Sequence, residues 1–275
     1  MSGLLPDDIG LFVTAEYVSG VRLARGWSRV VKEQCRVACE SNVGERTWKP
    51  AIAALRLVLE RLNVRAGNAT VVLSNRFVRY AVAPWQNQVS GGDVEVAFAR
   101  HCFRQIYGVA ADRWDVRVSP GAVGHPRVVS GVDQDLLDEL RGAFSDTGLK
   151  LRSIQPYLMA ALNKWRRKLD NRACLFVVAE ERFYTCMVVV GGRCQSVHTG
   201  AFSGPLNDSL PIILDREFMR SGLEERPSLF LYAGGQPDVE LGRAESWSGI
   251  ARELNEDAGI AASLEPGYRS AVLAL

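Results

Sequence analysis

What the 275-residue chain lacks narrows its chemistry before anything present in it does. No G-x-x-x-x-G-K-[ST] or G-x-G-x-x-G run occurs, which excludes a P-loop and a dinucleotide-binding turn. Only three histidines exist, His101, His125 and His198, and nothing places any of them beside a nucleophile; each reads as a core or surface residue. Ser203-Gly204 lacks the flanking residues of a G-x-S-x-G nucleophile elbow. No apolar run approaches the roughly 18 residues of a membrane-spanning helix. Leu4-Leu5 are followed closely by Asp7-Asp8, so the start does not read as a signal peptide. Neither sign of charge dominates: 33 basic and 31 acidic residues leave +2, and nothing drives the chain toward nucleic acid. The expectation is a cytoplasmic protein with no direct membrane span, whose membrane association, if any, comes through a partner.

The six cysteines (35, 39, 102, 174, 186 and 194) lie mostly in apolar or strand-like runs and read as reduced, buried small hydrophobes. Cys186 and Cys194 flank the Gly191-Gly192 turn. Cys35 and Cys39 have no second Cys or His pair to complete a zinc site, so metal binding is excluded.

What is present is a steady alternation of strands and helices. Ile9 to Arg25 reads as two strands around a short turn, with a third run near Cys35 to Cys39. Trp48, Ile52, Leu55, Leu59 and Leu62 recur at helical spacing, with Thr47 as cap and Pro50 in the first turn. Thr70–Leu73 and Phe77–Val82 read as short strands. Gly91-Gly92-Asp93 opens a helix carrying Val94, Ala97, Phe98, Cys102 and Ile106; Trp114–Val118 is a strand and Pro120–Pro126 a loop. Val128-Val129 adds a short strand. Asp133 caps a helix bearing Leu136, Leu137, Leu140 and Phe144 that stops at Gly148, and another helix follows Gln155-Pro156. The later part reads as Leu175–Val178, a second strand ending at Gly191-Gly192, a helix near Asp208–Arg220, the strand Leu229–Tyr232, and a helix from Ser246 to Ala258 stopped by Gly259.

The chain also resembles itself. Placing Phe12 on Val178 and advancing without gaps sets Thr14 on Glu180, Tyr17 on Phe183 and Gly26 on Gly192, an offset of 166 throughout. Each copy is a hairpin with its apolar run next to a Gly turn, and a helix–strand–helix order recurs after it. This is the pattern of a duplicated unit.

Six segments follow one another in a recognisable order: "IGLFVTAEYVSGVRL", "AIAALRLVLERLNVRAGNATVVLSNRFVRYAVAPW", "TGLKLRSIQPYLMAALNKW", "FVVAEERFYTCMVVVGG", "SLFLYAGGQP" and "GIAASLEP…AVLAL". In that order the chain resembles the actin-like ATPase fold shared by sugar kinases, heat-shock 70 proteins, actin and bacterial relatives. Within it, the chain resembles the PilM-type proteins of type IV pilus assembly. It is also similar to the cytoplasmic domain of the type II secretion L component and to the MSHA-pilus homologue. The resemblance implies an α/β, ribonuclease H-like duplicated fold in two related halves. Residues 1–75 and 132–170 would form the first half, 76–131 a small inserted subdomain, and 171–275 the second half.

The resemblance also shows what is missing. Phosphate hairpins of this fold use glycines for close backbone approach and an aspartate in each hairpin for Mg²⁺ and the attacking water. Phe12 and Val178 stand where the aspartates would be, and Thr14 and Glu180 where glycines would be. The adenosine-side loop keeps Gly234-Gly235, with Gln236 replacing its last glycine. Glu16, Glu180 and Glu181 would crowd a triphosphate, at roughly 4 kcal/mol for like charges 4 Å apart at an effective dielectric of 20. The vestigial site Phe12, Thr14, Val178, Glu180, Gly234, Gly235 is therefore expected to hydrolyse no ATP and to take no cofactor. The rival reading is an ATP-binding switch that uses Gly234-Gly235 with Mg-ATP. A small-molecule kinase of this superfamily is disfavoured, because it needs the missing aspartate and glycines.

Surfaces would then carry function. "SNRFVRYAVAPW" interleaves Arg76, Phe77, Arg79 and Tyr80 at the start of the inserted subdomain. In the PilM-type family the groove there receives the cytoplasmic tail of a membrane-anchored assembly protein, and Arg and Tyr suit interfaces. "NKWRRK" at 163–168 is the densest basic cluster, facing anionic lipid or an acidic partner, or simply a solvated helix C-terminus. The implied function is a non-catalytic adaptor of a pilus or secretion assembly platform that links the membrane-anchored partner to the assembly ATPase. Homo-oligomerisation is left open.

Overall fold

The structure is a computed structural model and describes residues 6–24, 29–40, 48–64, 66–86, 92–169, 172–234, 236, 247, 251–254, 260 and 263–275. In chain order the strands are β1 (Asp7–Val13), β2 (Tyr17–Ala24), β3 (Val30–Ala38), β4 (Gly67–Leu73), β5 (Val78–Ala83), β6 (Trp114–Val118), β7 (Arg127–Asp133), β8 (Leu149–Pro156), β9 (Ala173–Ala179), β10 (Phe183–Val190), β11 (Arg193–Ala201), β12 (Ser228–Tyr232) and β13 (Ala251–Glu253). The helices are α1 (Lys49–Arg61), α2 (Gly92–Tyr107), α3 (Gln134–Gly142), α4 (Tyr157–Trp165), α5 (Leu206–Ser221) and α6 (Pro266–Arg269).

The chain divides into two compact units, Met1–Phe77 with Asp135–Lys164 and Asn255–Leu275, and Val78–Gln134 with Trp165–Leu254. The first holds a five-stranded sheet ordered β3-β2-β1-β4-β8. β1 pairs antiparallel with β2 and parallel with β4, β2 pairs antiparallel with β3, and β4 pairs parallel with β8. Such a core strand, buried on both faces, is written as an unbroken apolar run rather than an alternating one, as "IGLFV" is.

Two glycines record how closely helices approach this sheet. A Cβ on Gly20 would stand 2.7 Å from Val58 and 2.9 Å from Leu62, so α1 lies almost on the backbone of β2. On Gly10 a Cβ would meet the carbonyl oxygen of Ala271 at 2.1 Å, so the C-terminal helical turn rests on β1. At one edge Asp7 binds Arg22 Nε at 2.7 Å and Lys32 Nζ at 3.0 Å. Burial acts to raise the Asp7 carboxyl, but the two cations hold it below its ordinary value.

The second unit repeats the plan. Its sheet runs β11-β10-β9-β12-β13, with the same pattern of antiparallel and parallel pairs. Shifting 7–13 and 17–24 by 166 gives 173–179 and 183–190, the bounds of β9 and β10. The duplicated α/β architecture expected from the sequence is therefore present to the residue in its central hairpins. α5 covers one face of this sheet through Leu206, Leu210, Ile213 and Leu214, packed on Leu175, Val177 and Cys186. Gly10's counterpart is Phe176, which is fully buried.

Beside this sheet, the second unit contains a smaller three-stranded sheet, β5-β7-β6, covered by α2. Its core is aromatic: Phe103 meets Trp114 edge-on at 5.9 Å and Tyr107 at 5.4 Å.

A charged cluster sits under α5. Glu217, with no exposed surface, accepts from Tyr184 Oη at 2.7 Å and from Arg220 Nη1 at 3.0 Å, while Arg216 Nη2 donates to Tyr184 Oη at 2.6 Å. Burial, then the hydrogen bond and charge of Glu217, push the Tyr184 hydroxyl up to about 12.

The structure corrects several local expectations. The helix expected over Ser246–Ala258 is not formed where it is described: Ala251–Glu253 is β13, paired parallel with β12. β8, over Leu149–Pro156, was not anticipated as a strand, while β11 pairs with β10 across the Gly191-Gly192 turn that Cys186 and Cys194 flank. β7 is longer than Val128-Val129, and α3 ends at Gly142, not Gly148. Thr47, Gly26, Gly91 and Gly259 lie outside the described residues; the residue preceding α1 is Trp48, which makes no side-chain cap. No helix among the described residues is long and apolar enough to cross a membrane.

Two measurements test this packing. Gly10→Ala forces two backbones apart and should lower stability by about 2–3 kcal/mol in chemical denaturation. Tyr184 binds its proton more tightly when folded, so its contribution is complete below pH 10 and is lost as pH rises toward 12. Thermal melts should therefore fall across pH 10–12, and less steeply for Tyr184→Phe.

Candidate functional site

The turns of the two duplicated hairpins are where the chemistry of this architecture would sit. Thr14, Ala15 and Glu16 link β1 to β2. Thr14 is 3% exposed, and its hydroxyl closes the turn on itself. Thr14 Oγ1 donates to the Tyr17 carbonyl oxygen at 2.7 Å and accepts from the backbone N–H groups of Glu16 at 3.2 Å and Tyr17 at 2.9 Å. A glycine here would leave those N–H groups open to an anion; threonine occupies them internally.

Phe12 supplies no oxygen ligand. It is 2% exposed and packs its ring on Tyr157 at 4.8 Å and on Tyr17 at 6.1 Å. Tyr157 Oη is in turn hydrogen-bonded to Ser270 Oγ at 2.8 Å. The face on which a metal-binding carboxylate would stand is thus filled with aromatic rings. Glu16 does not project as a bare charge, because it forms an ion pair with Arg76. Behind the turn, Cys39 donates its backbone N–H to the Glu16 carbonyl at 2.8 Å. Burial, then the Glu16 charge, push its thiol up to about 11.

The second hairpin has the same skeleton with different side chains. Glu180 N–H donates to the Phe183 carbonyl at 2.7 Å, as Thr14 N–H does to Tyr17 at 3.0 Å. Phe202 N–H donates to Arg182 as Cys39 does to Glu16. Val178 is wholly buried, paired with Thr185 on one side and Tyr232 on the other. Glu180 is half-buried and Glu181 exposed.

The loop after β12 is tied to this turn. The Gln236 side-chain amide donates to the Glu180 carbonyl, and its backbone N–H donates to Ala233 at 2.9 Å. Gly234 has a packing reason to be glycine, since a Cβ would lie 2.3 Å from Tyr232 Oη. Gly235 lies outside the described residues. The bracing role of Gln236 and the capping role of Thr14 were not anticipated from sequence. The Thr14 signal was there to read, because a Thr two residues before a turn N–H is a common side-chain mimic of a backbone turn.

The expected partner-binding residues are divided between the two units. Arg76 and Phe77 close a segment of the first unit, where Arg76 is committed to Glu16. Arg79 and Tyr80 begin the second unit; Arg79 is exposed, whereas Tyr80 is buried and its carbonyl accepts from Tyr107 Oη at 2.9 Å. In the basic run, Trp165 is buried against Tyr232 at 6.1 Å with Lys168 4.7 Å over its ring, while Arg166 and Arg167 are exposed. His101 is exposed beside Gln105 on α2 and lies near neither hairpin in sequence. Among the described residues no group of three or more His, Cys, Asp or Glu could hold a metal ion.

Two sheets of identical order, each opening with a hairpin, and a small three-stranded subdomain define the actin-like ATPase fold. Among solved structures the chain is similar to a chain of the PilM-PilN type IV pilus biogenesis complex, with 16% identity over 97% of this chain and 96% of that one and a TM-score of 0.66. It is also similar to the cytoplasmic domain of EpsL, an inner membrane component of the type II secretion system of Vibrio cholerae, with 12% identity over 97% and 94% and a TM-score of 0.59. A Bacteroides thetaiotaomicron protein with an actin-like ATPase fold and unknown function matches at 8% identity over 94% of both chains, with a TM-score of 0.61. At such identities the likeness establishes the fold. No family model and no curated protein matches the chain.

The self-closed turn is testable. Thr14→Val keeps the shape but strips the acceptor from two turn N–H groups, and should lower stability by about 1–2 kcal/mol in chemical denaturation.

Proposed function

We propose that the chain is a non-catalytic adaptor of a bacterial type IV pilus or type II secretion-like assembly platform. It acts on the cytoplasmic side of the inner membrane and links the cytoplasmic tail of a membrane-anchored partner to the assembly ATPase. One observation carries the reading: the fold is that of PilM-PilN and EpsL chains, while the first hairpin turn has spent its backbone donors on Thr14.

The residues at the hairpins do not fit a magnesium–nucleotide. Phe12 and Val178 offer no oxygen to a metal, and both are packed too deeply for a water to stand in for one. The second turn presents carboxylates at Glu180 and Glu181 where a phosphate would need donors. Gly234, the feature that favoured an ATP-binding switch, is accounted for by the Tyr232 ring above it. On this reading the duplicated sheets serve as a stiff frame. The small β5-β7-β6 subdomain is its addition for recognition, with exposed Arg79 on the end strand β5.

The test has two arms. Calorimetry with Mg-ATP should give no saturable heat, and purified protein should show no turnover. A peptide from the cytoplasmic tail of a single-span membrane protein of such a platform should bind, about tenfold more weakly to Arg79→Glu. ATP turnover abolished by mutating the chain's own residues would sink the non-catalytic reading, and failure of the tail peptide to bind would sink the adaptor.

A further inference from the structure

We propose that the basic run after α4, together with the head of β11, is a docking face for an anionic membrane surface. Arg166, Arg167 and Lys168 follow the last residue of α4 and are all exposed. Arg193, the first residue of β11, is exposed as well. All four belong to the second unit, and the chain brings them toward one end of its sheet. The Gly191 N–H donates to the Arg172 carbonyl at 2.6 Å, which ties the turn before Arg193 to the start of β9. Lys168 lies four residues before Arg172, a stretch that spans about 14 Å at most.

These charges are not spent inside the fold. Among the described residues Arg166, Arg167 and Arg193 make no ion pair, and neither arginine after α4 hydrogen-bonds a carbonyl of the helix. The Lys168 ammonium sits 4.7 Å over the Trp165 ring, which positions it and leaves its charge in place. Arg172, exposed between them, has partners of its own, so the face stands on the other four. The exposed carboxylates Glu224 and Glu225 precede β12, on the other side of β9 from β10 and β11. A protein interface needs an apolar core inside its polar rim. The exposed large apolar side chains described in this unit, Val94, Ile106, Val109, Val123, Ile212 and Met219, all lie elsewhere in the sequence. An anionic bilayer asks only for uncompensated cations, and each gains about fivefold in affinity at its surface. Lipid contact of this kind needs no protein partner, so it stands or falls apart from the tail-peptide test.

Co-sedimentation of the whole chain with vesicles tests the face. The chain should bind vesicles of mixed phosphatidylcholine and phosphatidylglycerol, be released by added salt, and ignore vesicles of phosphatidylcholine alone. The double variant Arg166→Glu with Arg167→Glu should bind at least about tenfold more weakly, and Arg193→Glu about fivefold more weakly, with unchanged thermal melts. Arg100→Glu, at an exposed position on α2, changes net charge equally and should leave binding as it is. Should the double variant fail to fold, Arg193→Glu decides alone. Equal binding to both kinds of vesicle, or none, overturns the proposal, as does a loss that Arg100→Glu matches. Binding to a polyglutamate peptide with none to phosphatidylglycerol also overturns it, and assigns the face to an acidic protein.

Discussion

The hydrogen bonding of β1 and β9 is the constraint on which the rest is built. Each is paired antiparallel to its hairpin partner on one side and parallel to a later strand on the other, and each is buried on both faces. A strand in that position tolerates no register slip, because a one-residue shift would carry every side chain to the opposite face. The turns that follow are therefore placed with little freedom, at 14–16 and 180–182. The helices are seated by the same two strands and their partners: α1 against Gly20, the C-terminal turn against Gly10, and α5 against the β9–β10 face.

Given that frame, the local chemistry of each turn is a separate matter, settled by a few side chains. An anion-binding turn needs backbone N–H groups that have no better partner. In the first hairpin a single hydroxyl, that of Thr14, takes two of them and returns its own proton to a carbonyl. In the second, Gln236 reaches back to the Glu180 carbonyl and joins the loop after β12 to the turn. Neither arrangement disturbs the strand pairing, which is why the hairpins superimpose by a constant offset while their turns carry unlike residues. Glu16 shows the same separation of frame and surface: its charge is met by Arg76 in an ion pair at the surface.

Legibility in the sequence followed how uniform each environment is. "IGLFV" and "LFVVA" face apolar surroundings on both sides and announce themselves as buried strands; α1 lies between sheet and solvent and shows a helical period. β8, "LKLRSIQP", is a half-buried strand whose polar residues include Arg152, bound to Asn68 at 2.7 Å, so its pattern is diluted by tertiary partners. β13 is three residues long, too short for any period to register, and is a strand because β12 offers it a parallel edge. Of the candidate site, the residue types at the two turns were readable position by position; what they replace was read from the family resemblance. The commitments of Arg76 to Glu16 and of Tyr80 to the interior were not, because both depend on neighbours that folding supplies.

The sequence by itself determined the duplicated hairpins, their offset of 166, and the residue types at each turn, because apolar periodicity and identity at a position are local properties. Only the tertiary structure decided what those residue types do. Thr14 became a turn cap, Phe12 part of an aromatic stack, and Gly234 a seat for a tyrosine ring, since each role requires an atom from a part of the fold that local pattern does not specify.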